Sequence, residues 1–326
     1  MPEGLTLIIT FAIGIAALVK ASDVFTESAE RLGMALGFPT FIIGVTIISI
    51  GTSLPELISS LFALSENVPE VVIGNVVGSN IANIFLVVGT ASIASKKGID
   101  ITYDLLTVDL PLFVGSAFLL SLEVWDGDFT KGEAFLLICA YSMYLIYIIT
   151  NSPNTAQEED VEDNSRDDNK EETVSNNVFL LKQLGLIAVS ATFIYIGANF
   201  TIDAVIGLSK LFKIGEEIIA VSAVALGTSL PELIVTINAA RKGKAELAVG
   251  NVLGSNIFNT FMVMGIPGLV GHLEIPRTIV TESVPTMIAG TILLFFVAQD
   301  KKLTIWEGYL FYIMYIWFIG ETFNFL

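Results

Sequence analysis

Long apolar runs, separated by short polar stretches, make up most of this chain. Ten of these runs approach the roughly 20 apolar residues that a helix needs to cross a bilayer. They lie near residues 4–28, 40–65, 70–94, 104–122, 132–150, 178–206, 216–240, 246–270, 279–298 and 304–324. Backbone exposed to lipid must form its hydrogen bonds within its own segment, which favours helices. The pattern therefore predicts an all-α membrane protein with ten transmembrane helices.

An acidic stretch from Asn151 to Asn177 interrupts the apolar runs in the middle of the chain. It carries nine acidic residues against Arg166 and Lys170, so we expect a solvated, disordered linker. It separates a first five-helix half, residues 1–150, from a second five-helix half, residues 178–326, with the linker at 151–177. An odd number of crossings in each half predicts that the second half is inverted relative to the first.

The linker also offers a possible calcium loop. Asp160, Glu162, Asn164 and Glu171 fall at the ligand positions 1, 3, 5 and 12 of such a loop. However, Ser165 stands where the loop needs glycine, and the flanking sequence predicts no amphipathic helices. We therefore do not expect a folded calcium-binding domain here.

Composition supports a membrane protein and excludes several kinds of site. Hydrophobic residues make up 53% of the chain and charged residues only 15%. The single cysteine, Cys139, excludes an intrachain disulfide and a cysteine-rich metal site, and the single histidine, His272, excludes a histidine cluster. Only Pro2-Glu3 precedes the first run, without a basic segment, so we expect that run to be a mature span.

Two motifs occur twice at a constant spacing. The eight residues Gly51–Ile58 recur unchanged as Gly227–Ile234, an offset of 227 − 51 = 176. At the same offset, Gly74–Ile81 recurs as Gly250–Ile257 with one difference, and Asn83 is matched by Asn259. Agreement of this kind indicates a duplicated, transporter-like unit.

Lysine and arginine in the loops predict the orientation. Residues on one side are Lys131, Lys210, Lys213 and Arg277; those on the other are Arg31, Lys96, Lys97, Arg166, Lys170, Lys182, Arg241, Lys242, Lys244, Lys301 and Lys302. Cytoplasmic loops carry the excess of basic residues. We therefore expect both termini outside and the acidic linker in the cytoplasm.

The first motif concentrates oxygen donors inside a predicted span. Glu56 is the only charged residue between Phe41 and Leu64, and a carboxylate at that depth costs at least about 2.5 kcal/mol. Thr52 lies four residues earlier on the same helix face, with Ser53 beside it. Pro55 cannot donate to the carbonyl of Gly51, which should kink or loosen the helix there. Hard cations such as Ca²⁺ prefer such a set of oxygens.

The second motif adds neutral oxygens. Its polar residues could be ion ligands, or they could only serve the packing of helices against one another. Ser79 and Asn83 share a face, as do Ser255 and Asn259 in the repeat. We expect the motif glycines Gly74, Gly78, Gly250 and Gly254 to be packing positions. For Asn75, Asn80, Asn251 and Asn256 both interpretations stay open. Helix packing does not explain Glu56 and Glu232, since two buried acids need a cation. The one basic residue near a span centre is Lys20, and we expect it to snorkel or to pair with Asp23.

The doubled G-T-S-L-P-E, each followed by G-N-x-x-G-S-N-I, resembles the two alpha-repeats of the cation/calcium exchanger superfamily, especially its sodium/calcium exchangers. The resemblance covers the whole chain and implies ten helices in two inverted repeats of five, with alternating-access exchange of Ca²⁺ for Na⁺. By motif position it implies these ligands: Thr52, Ser53, Glu56, Ser79, Asn83, Thr228, Ser229, Glu232, Ser255 and Asn259, with backbone carbonyls from Ser49 and Ala225. Some relatives, including potassium-dependent exchangers, have aspartate at the position of Asn259. Its absence here argues against potassium co-transport, so a potassium-dependent sodium/calcium exchanger is a less favoured alternative. Proton/calcium relatives have a glutamate-histidine pair where this chain has Ser79-Asn80 and Ser255-Asn256.

Charge explains why such a site would exchange ions. An empty site with both glutamates ionised carries about −2, which is costly to move through a membrane. One Ca²⁺ or at least two Na⁺ would neutralise it, and because the two ions need the same oxygens, binding one excludes the other. We expect no cofactor, no nucleic-acid partner and a prokaryotic plasma-membrane location, with Ca²⁺ and Na⁺ as substrates.

Three alternatives compete with this hypothesis. A hydrolase built on Ser53 or Ser229 lacks a neighbouring base, so we do not expect an enzyme. A cation channel would also use carboxylates, but a duplicated site split between two broken helices favours a carrier. A proton/calcium exchanger remains the main alternative, because Glu56 and Glu232 could themselves carry protons. The number of neutral oxygens favours Na⁺ over protons, since metal ions must be dehydrated and held.

Overall fold

The protein is represented by a computed structural model that describes residues 3–95, 98–104, 108–151, 171–211 and 229–322. Regular structure in these ranges is helical except for four short strands. The first half contains α1 (Glu3–Ala35), α2 (Thr40–Ile43), the π-helical turn π1 (Gly44–Ile48), α3 (Ser49–Ser65), α4 (Glu70–Ala82), π2 (Asn83–Val87), α5 (Val88–Ala94), β1 (Ile99–Asp100), α6 (Asp109–Glu123), β2 (Asp128–Phe129) and α7 (Lys131–Asn151).

The described part of the second half follows a similar order, except that it has an additional π-helical turn before the counterpart of α6; the counterparts of α2 and π1 would fall outside the described residues. It contains α8 (Glu171–Leu211), α9 (Leu230–Arg241), α10 (Ala245–Phe258), π3 (Asn259–Val263), α11 (Met264–Val270), β3 (Leu273–Glu274), π4 (Ile279–Ser283), α12 (Val284–Ala298), β4 (Lys302–Leu303) and α13 (Ile305–Thr322).

Seven helical segments in the described ranges are long and apolar enough to cross a membrane. They are Gly4–Ala35, Thr40–Ser65, Glu70–Ala94, Lys131–Thr150, Val178–Leu208, Ala245–Val270 and Ile279–Ala298. The remaining three predicted spans correspond to α6, α9 and α13, which are shorter or more polar in their described parts. The prediction of a helical membrane protein is confirmed, whereas the number of ten spans stays a prediction.

Two boundaries differ from the sequence analysis. Helix α1 continues to Ala35, beyond the expected end at residue 28, because Ala29 and Leu32 on this extension are buried in the core. Exposed Glu27 and Arg31 form an i,i+4 ion pair of 2.6 Å across its start. Helix α8 begins at Glu171, so the last seven residues of the expected linker are helical. The rest of the linker, residues 152–170, lies outside the described residues.

The two halves of the chain enclose a buried centre. In the segment Ala245–Val270, 94% of the most apolar stretch is buried inside the protein, and in Glu70–Ala94 the share is 78%. In α1 and α8 the buried share is only 17%. Helices α1 and α8 therefore form the periphery, and they pack against each other at Gly14 and Gly197. A Cβ atom on Gly14 would lie 2.5 Å from the hydroxyl of Thr201, so only glycine permits this approach.

Ion pairs join the middle of α1 to the turn between α9 and α10. Asp23 pairs with Lys242 at 2.7 Å, and Glu30 pairs with Lys244. Of the two possibilities for Lys20, an ion pair with Asp23 is not found among the described residues, because Lys242 lies on this carboxylate.

Two antiparallel strand pairs connect distant loops. Strand β1 pairs with β4, and β2 pairs with β3. Helix α6 separates β1 from β2, so the two pairs lie at opposite ends of that helix. Similar capping boxes follow β2 and β4: Thr130 N donates to Glu133 Oε2 at 2.7 Å, and Thr304 N donates to Glu307 Oε2 at 2.6 Å.

Candidate functional site

The two motif glutamates meet in the buried centre. Glu56 lies in α3 and Glu232 in the first turn of α9, and neither side chain is exposed. Ser53 donates a hydrogen bond to Glu232 Oε1 at 2.9 Å, which joins the first motif to the second carboxylate. Both carboxylates therefore lie in the same buried centre. A site with this charge needs a compensating cation.

Several polar atoms at this centre lack protein partners among the described residues. They are both carboxylate oxygens of Glu56, Oε2 of Glu232, the hydroxyl of Ser229, and the amide O and N atoms of Asn83 and Asn259. Buried polar groups are normally hydrogen-bonded, because leaving one unpaired costs about 1–3 kcal/mol and more for a charge. Hard oxygens in this arrangement fit a dehydrated cation such as Ca²⁺ or Na⁺.

The described ranges contain no group of three or more His, Cys, Asp or Glu residues suited to a metal ion. The candidate donors at this centre are the carboxylates of Glu56 and Glu232 and the neutral oxygens around them. Such a set carries only about −2 in charge, which matches one divalent ion or two monovalent ions.

The hydroxyl of Thr52 links α3 to α10. It donates to the carbonyl of Ser49 and to Asn251 Oδ1, both at 3.2 Å, and lies 3.4 Å from the hydroxyl of Ser255. Ser79 donates to Asn75 Oδ1 at 3.4 Å on α4. Hydrogen-bond contacts thus connect five of the predicted site residues: Ser49, Thr52, Ser53, Glu232 and Ser255. Ala225 and Thr228 lie outside the described residues.

Two π-helical turns begin at the paired asparagines. π2 starts at Asn83 and π3 at Asn259, and both residues are completely buried. A π-helical turn shifts the register of the backbone hydrogen bonds and frequently marks a functional position. The apolar periodicity of the sequence carries no signal for these turns, although the asparagines themselves were identified.

Asn75 and Asn251 hold the motif helices in matching ways. Asn75 Nδ2 donates to Ser60 Oγ at 3.0 Å and to the carbonyl of Glu56 at 3.1 Å. Asn251 Nδ2 donates to Thr236 Oγ1 at 2.9 Å. Since Thr236 is the repeat counterpart of Ser60, both amides join the two motif helices of their own repeat. These contacts give Asn75 and Asn251 a positioning role.

Asn80 and Asn256 have mixed surroundings. Asn80 Nδ2 donates to Thr260 Oγ1 at 2.9 Å, and Asn256 Nδ2 donates to the carbonyl of Val252 at 2.8 Å. Their amide oxygens accept no hydrogen bond within the described part of the chain. Packing between segments therefore accounts for the amide nitrogen of Asn80, whereas that of Asn256 bonds within its own helix.

The packing interpretation holds for the glycines of the second repeat. A Cβ atom on Gly250 would lie 2.6 Å from the carbonyl of Phe41, and one on Gly254 would lie 2.4 Å from the carbonyl of Val45. Glycine is required there for α10 to approach the α2–π1 segment. Around Gly74 and Gly78 the described residues leave room for a Cβ atom, the nearest contact being 3.8 Å at Gly74.

Comparisons with known proteins match this chain to one family. A family model described as "Sodium/calcium exchanger protein" matches residues 6–150 and 182–322. The chain is 33% identical to the sodium/calcium exchanger MaX1 of Methanosarcina acetivorans, over 95% of this chain and 97% of that protein. It is 32% identical to the uncharacterised membrane protein MJ0091 of Methanocaldococcus jannaschii, with 94% of each covered.

A solved structure is similar along the whole chain. It is that of the sodium-calcium exchanger NCX_Mj soaked with zero Na⁺ and Ca²⁺. The TM-score is 0.80 at 27% sequence identity, and 98% of this chain and 99% of that chain are covered. The fold and the sequence motifs therefore point to the same group of proteins.

Proposed function

The chain belongs to the sodium/calcium exchanger protein family, and from this premise we propose that it exchanges Ca²⁺ for Na⁺ across the membrane as a secondary antiporter. The family transports ions, so Ca²⁺ and Na⁺ are its substrates and not its cofactors. A prokaryotic plasma membrane is the proposed location, in keeping with its archaeal relatives.

The observation that carries this proposal is the pair of buried, insufficiently partnered carboxylates at Glu56 and Glu232. Two fixed negative charges in a low-dielectric centre are neutralised by one Ca²⁺ or by two Na⁺. Both ions need the same oxygens, so a site loaded with one excludes the other. An empty site keeps its charge and resists movement through the membrane, which favours exchange over leak.

The proposed ligands are the carboxylates together with the hydroxyl, amide and carbonyl oxygens around them. They are Ser49, Thr52, Ser53, Glu56, Ser79 and Asn83 from the first repeat, and Ala225, Thr228, Ser229, Glu232, Ser255 and Asn259 from the second. Ser49 and Ala225 would contribute backbone carbonyls. The unpartnered amide oxygens of Asn83 and Asn259 support their inclusion.

Strand pairing supports an inverted repeat of two five-helix halves, 1–150 and 178–326, joined by the linker 151–177. In the order of elements, β3 and β4 of the second half correspond to β1 and β2 of the first. Strands β1 and β2 lie at opposite ends of α6, yet β1 pairs with β4, the counterpart of β2. Each strand and its counterpart therefore lie at opposite ends of the helices, which is the relation that an inverted repeat requires.

The same geometry supports the proposed orientation with both termini outside. The β1–β4 end carries Lys301 and Lys302. The contact of Tyr103 N with Glu246 at 3.0 Å adds the neighbouring turn with Arg241, Lys242 and Lys244 to this end, whereas the β2–β3 end carries Lys131 and Arg277. By the excess of basic residues, the β1–β4 end is cytoplasmic. Alternating access would then expose the site to the two ends in turn.

Calcium uptake into vesicles tests the proposal. Proteoliposomes loaded with Na⁺ and diluted into Na⁺-free medium should accumulate ⁴⁵Ca²⁺, with K⁺ unable to replace Na⁺ and a protonophore having little effect. The two carboxylates could instead exchange protons, which is the specific competitor. Uptake that ignores the Na⁺ gradient and collapses with the protonophore would establish a proton/calcium exchanger. Uptake without any counter-ion would indicate a channel.

A further inference from the structure

A groove of about 300 Å³ runs between α1 and α8, on the periphery of the protein. Its walls include Ala17, Ala21, Leu186, Val189 and Phe193, and its one charged residue is Lys20. Because both helices bury only a small share of their apolar surface, this groove faces the bilayer. Its apolar walls suit an acyl chain.

Lys20 has no anionic partner within the described residues. The three acids that follow it in α1 are already occupied: Asp23 by Lys242, Glu27 by Arg31 and Glu30 by Lys244. A lysine at membrane depth costs about 2.5–3.5 kcal/mol on insertion scales unless it is neutralised or reaches the interface. An anion from outside the protein would remove this cost.

The level of Lys20 in the membrane selects one leaflet. Asn238 of α9 donates to Ser22 Oγ of α1 at 2.9 Å, so these two residues lie at the same level. Asn238 is six residues after Glu232 in α9, which is about 9 Å along the helix axis. Lys20 is therefore only about 6 Å from the level of Glu232, on the side of Lys242. If the glutamates lie mid-membrane, as proposed above, the hydrocarbon edge is about 15 Å from them. A snorkelling lysine can extend toward the phosphates of that leaflet.

We propose that this groove binds one anionic phospholipid, with an acyl chain between α1 and α8 and its phosphate on the ammonium of Lys20. The Lys242 end of the protein identifies the leaflet, which is the cytoplasmic one in the orientation given above. Zwitterionic lipids are disfavoured, because their cationic headgroup meets no free carboxylate among Asp23, Glu27 and Glu30. Charge complementarity thus defines the occupant.

Lipid binding to the purified full chain tests this site. Delipidated protein is titrated with phosphatidylglycerol or phosphatidylcholine, and bound lipid is counted by native mass spectrometry. Wild type should retain one phosphatidylglycerol with a roughly fivefold preference over phosphatidylcholine, the factor that one lysine contributes. Lys20→Gln should remove this preference. Lys210→Gln, at the exposed other end of α8, should retain it.

A second variant tests the groove apart from the charge. Ala17→Leu fills the groove and should weaken binding of both lipids, while circular dichroism and melting show that the variants stay folded. Glycerol phosphate, which lacks acyl chains, should not displace the lipid. Equal binding of phosphatidylglycerol to wild type and Lys20→Gln would overturn the proposal, as would displacement by glycerol phosphate.

Discussion

Replacing Glu56 or Glu232 with glutamine should abolish Ca²⁺ transport and leave the protein folded. Each change halves the fixed charge of the site, so bound Ca²⁺ would leave a net buried charge of about +1. An uncompensated buried charge costs about 3–5 kcal/mol, which weakens Ca²⁺ binding roughly 150-fold to several thousandfold. Folding should survive, because neither carboxylate has a cationic partner among the described residues that would be left unpaired. Ser53 can still donate to the amide oxygen at position 232.

The assay is ⁴⁵Ca²⁺ uptake into proteoliposomes, combined with Ca²⁺-dependent thermal stabilisation in detergent. Glu70→Gln is the matched control, because Glu70 is an exposed acid at the start of α4 and its loss should leave uptake unchanged. Near-normal calcium flux in either Glu56→Gln or Glu232→Gln would refute the assignment of that carboxylate.

Three further predictions follow from the packing and the topology. Asn251→Ala loses buried hydrogen bonds to neighbouring helices and should destabilise the protein by about 1–3 kcal/mol in thermal melts; an unchanged melting curve would contradict its positioning role. Gly254→Ala should lower the melting temperature, because its Cβ would lie 2.4 Å from a backbone carbonyl, whereas Gly115→Ala, with open space, should not. In a cysteine-free background, a cysteine at Glu159 should react with impermeant thiol reagents only from the cytoplasm, and one at Asp126 only from outside. Labelling of both from the same side would contradict the inverted arrangement.

Residues whose charge is energetically unfavourable inside a membrane were the most predictable part of the site. A glutamate inside an apolar run has few structural explanations, so Glu56 and Glu232 stand out in the sequence. The repeat then links the two motifs, and the structure brings Ser53 and Glu232 together at 2.9 Å. This contact agrees with the expected meeting of the two motif helices.

Features that depend on backbone register or on distant partners could not be predicted. The π-helical turns at Asn83 and Asn259 leave no trace in hydrophobic periodicity, since their side chains remain buried as in an α-helix. The partner of Asp23 could not be predicted, because the sequence shows the nearby Lys20 and not the distant Lys242. The helical start at Glu171 was missed because its acidic composition also favours disorder.

The most direct test of the central claim is to locate the bound ion. Crystals soaked in Ca²⁺ or Sr²⁺ should show one anomalous difference peak between the carboxylates of Glu56 and Glu232, with oxygen ligands about 2.3–2.6 Å from a bound Ca²⁺. High Na⁺ should remove this peak. A calcium peak elsewhere, or one that persists unchanged in high Na⁺, would contradict a shared site at which the two ions exchange.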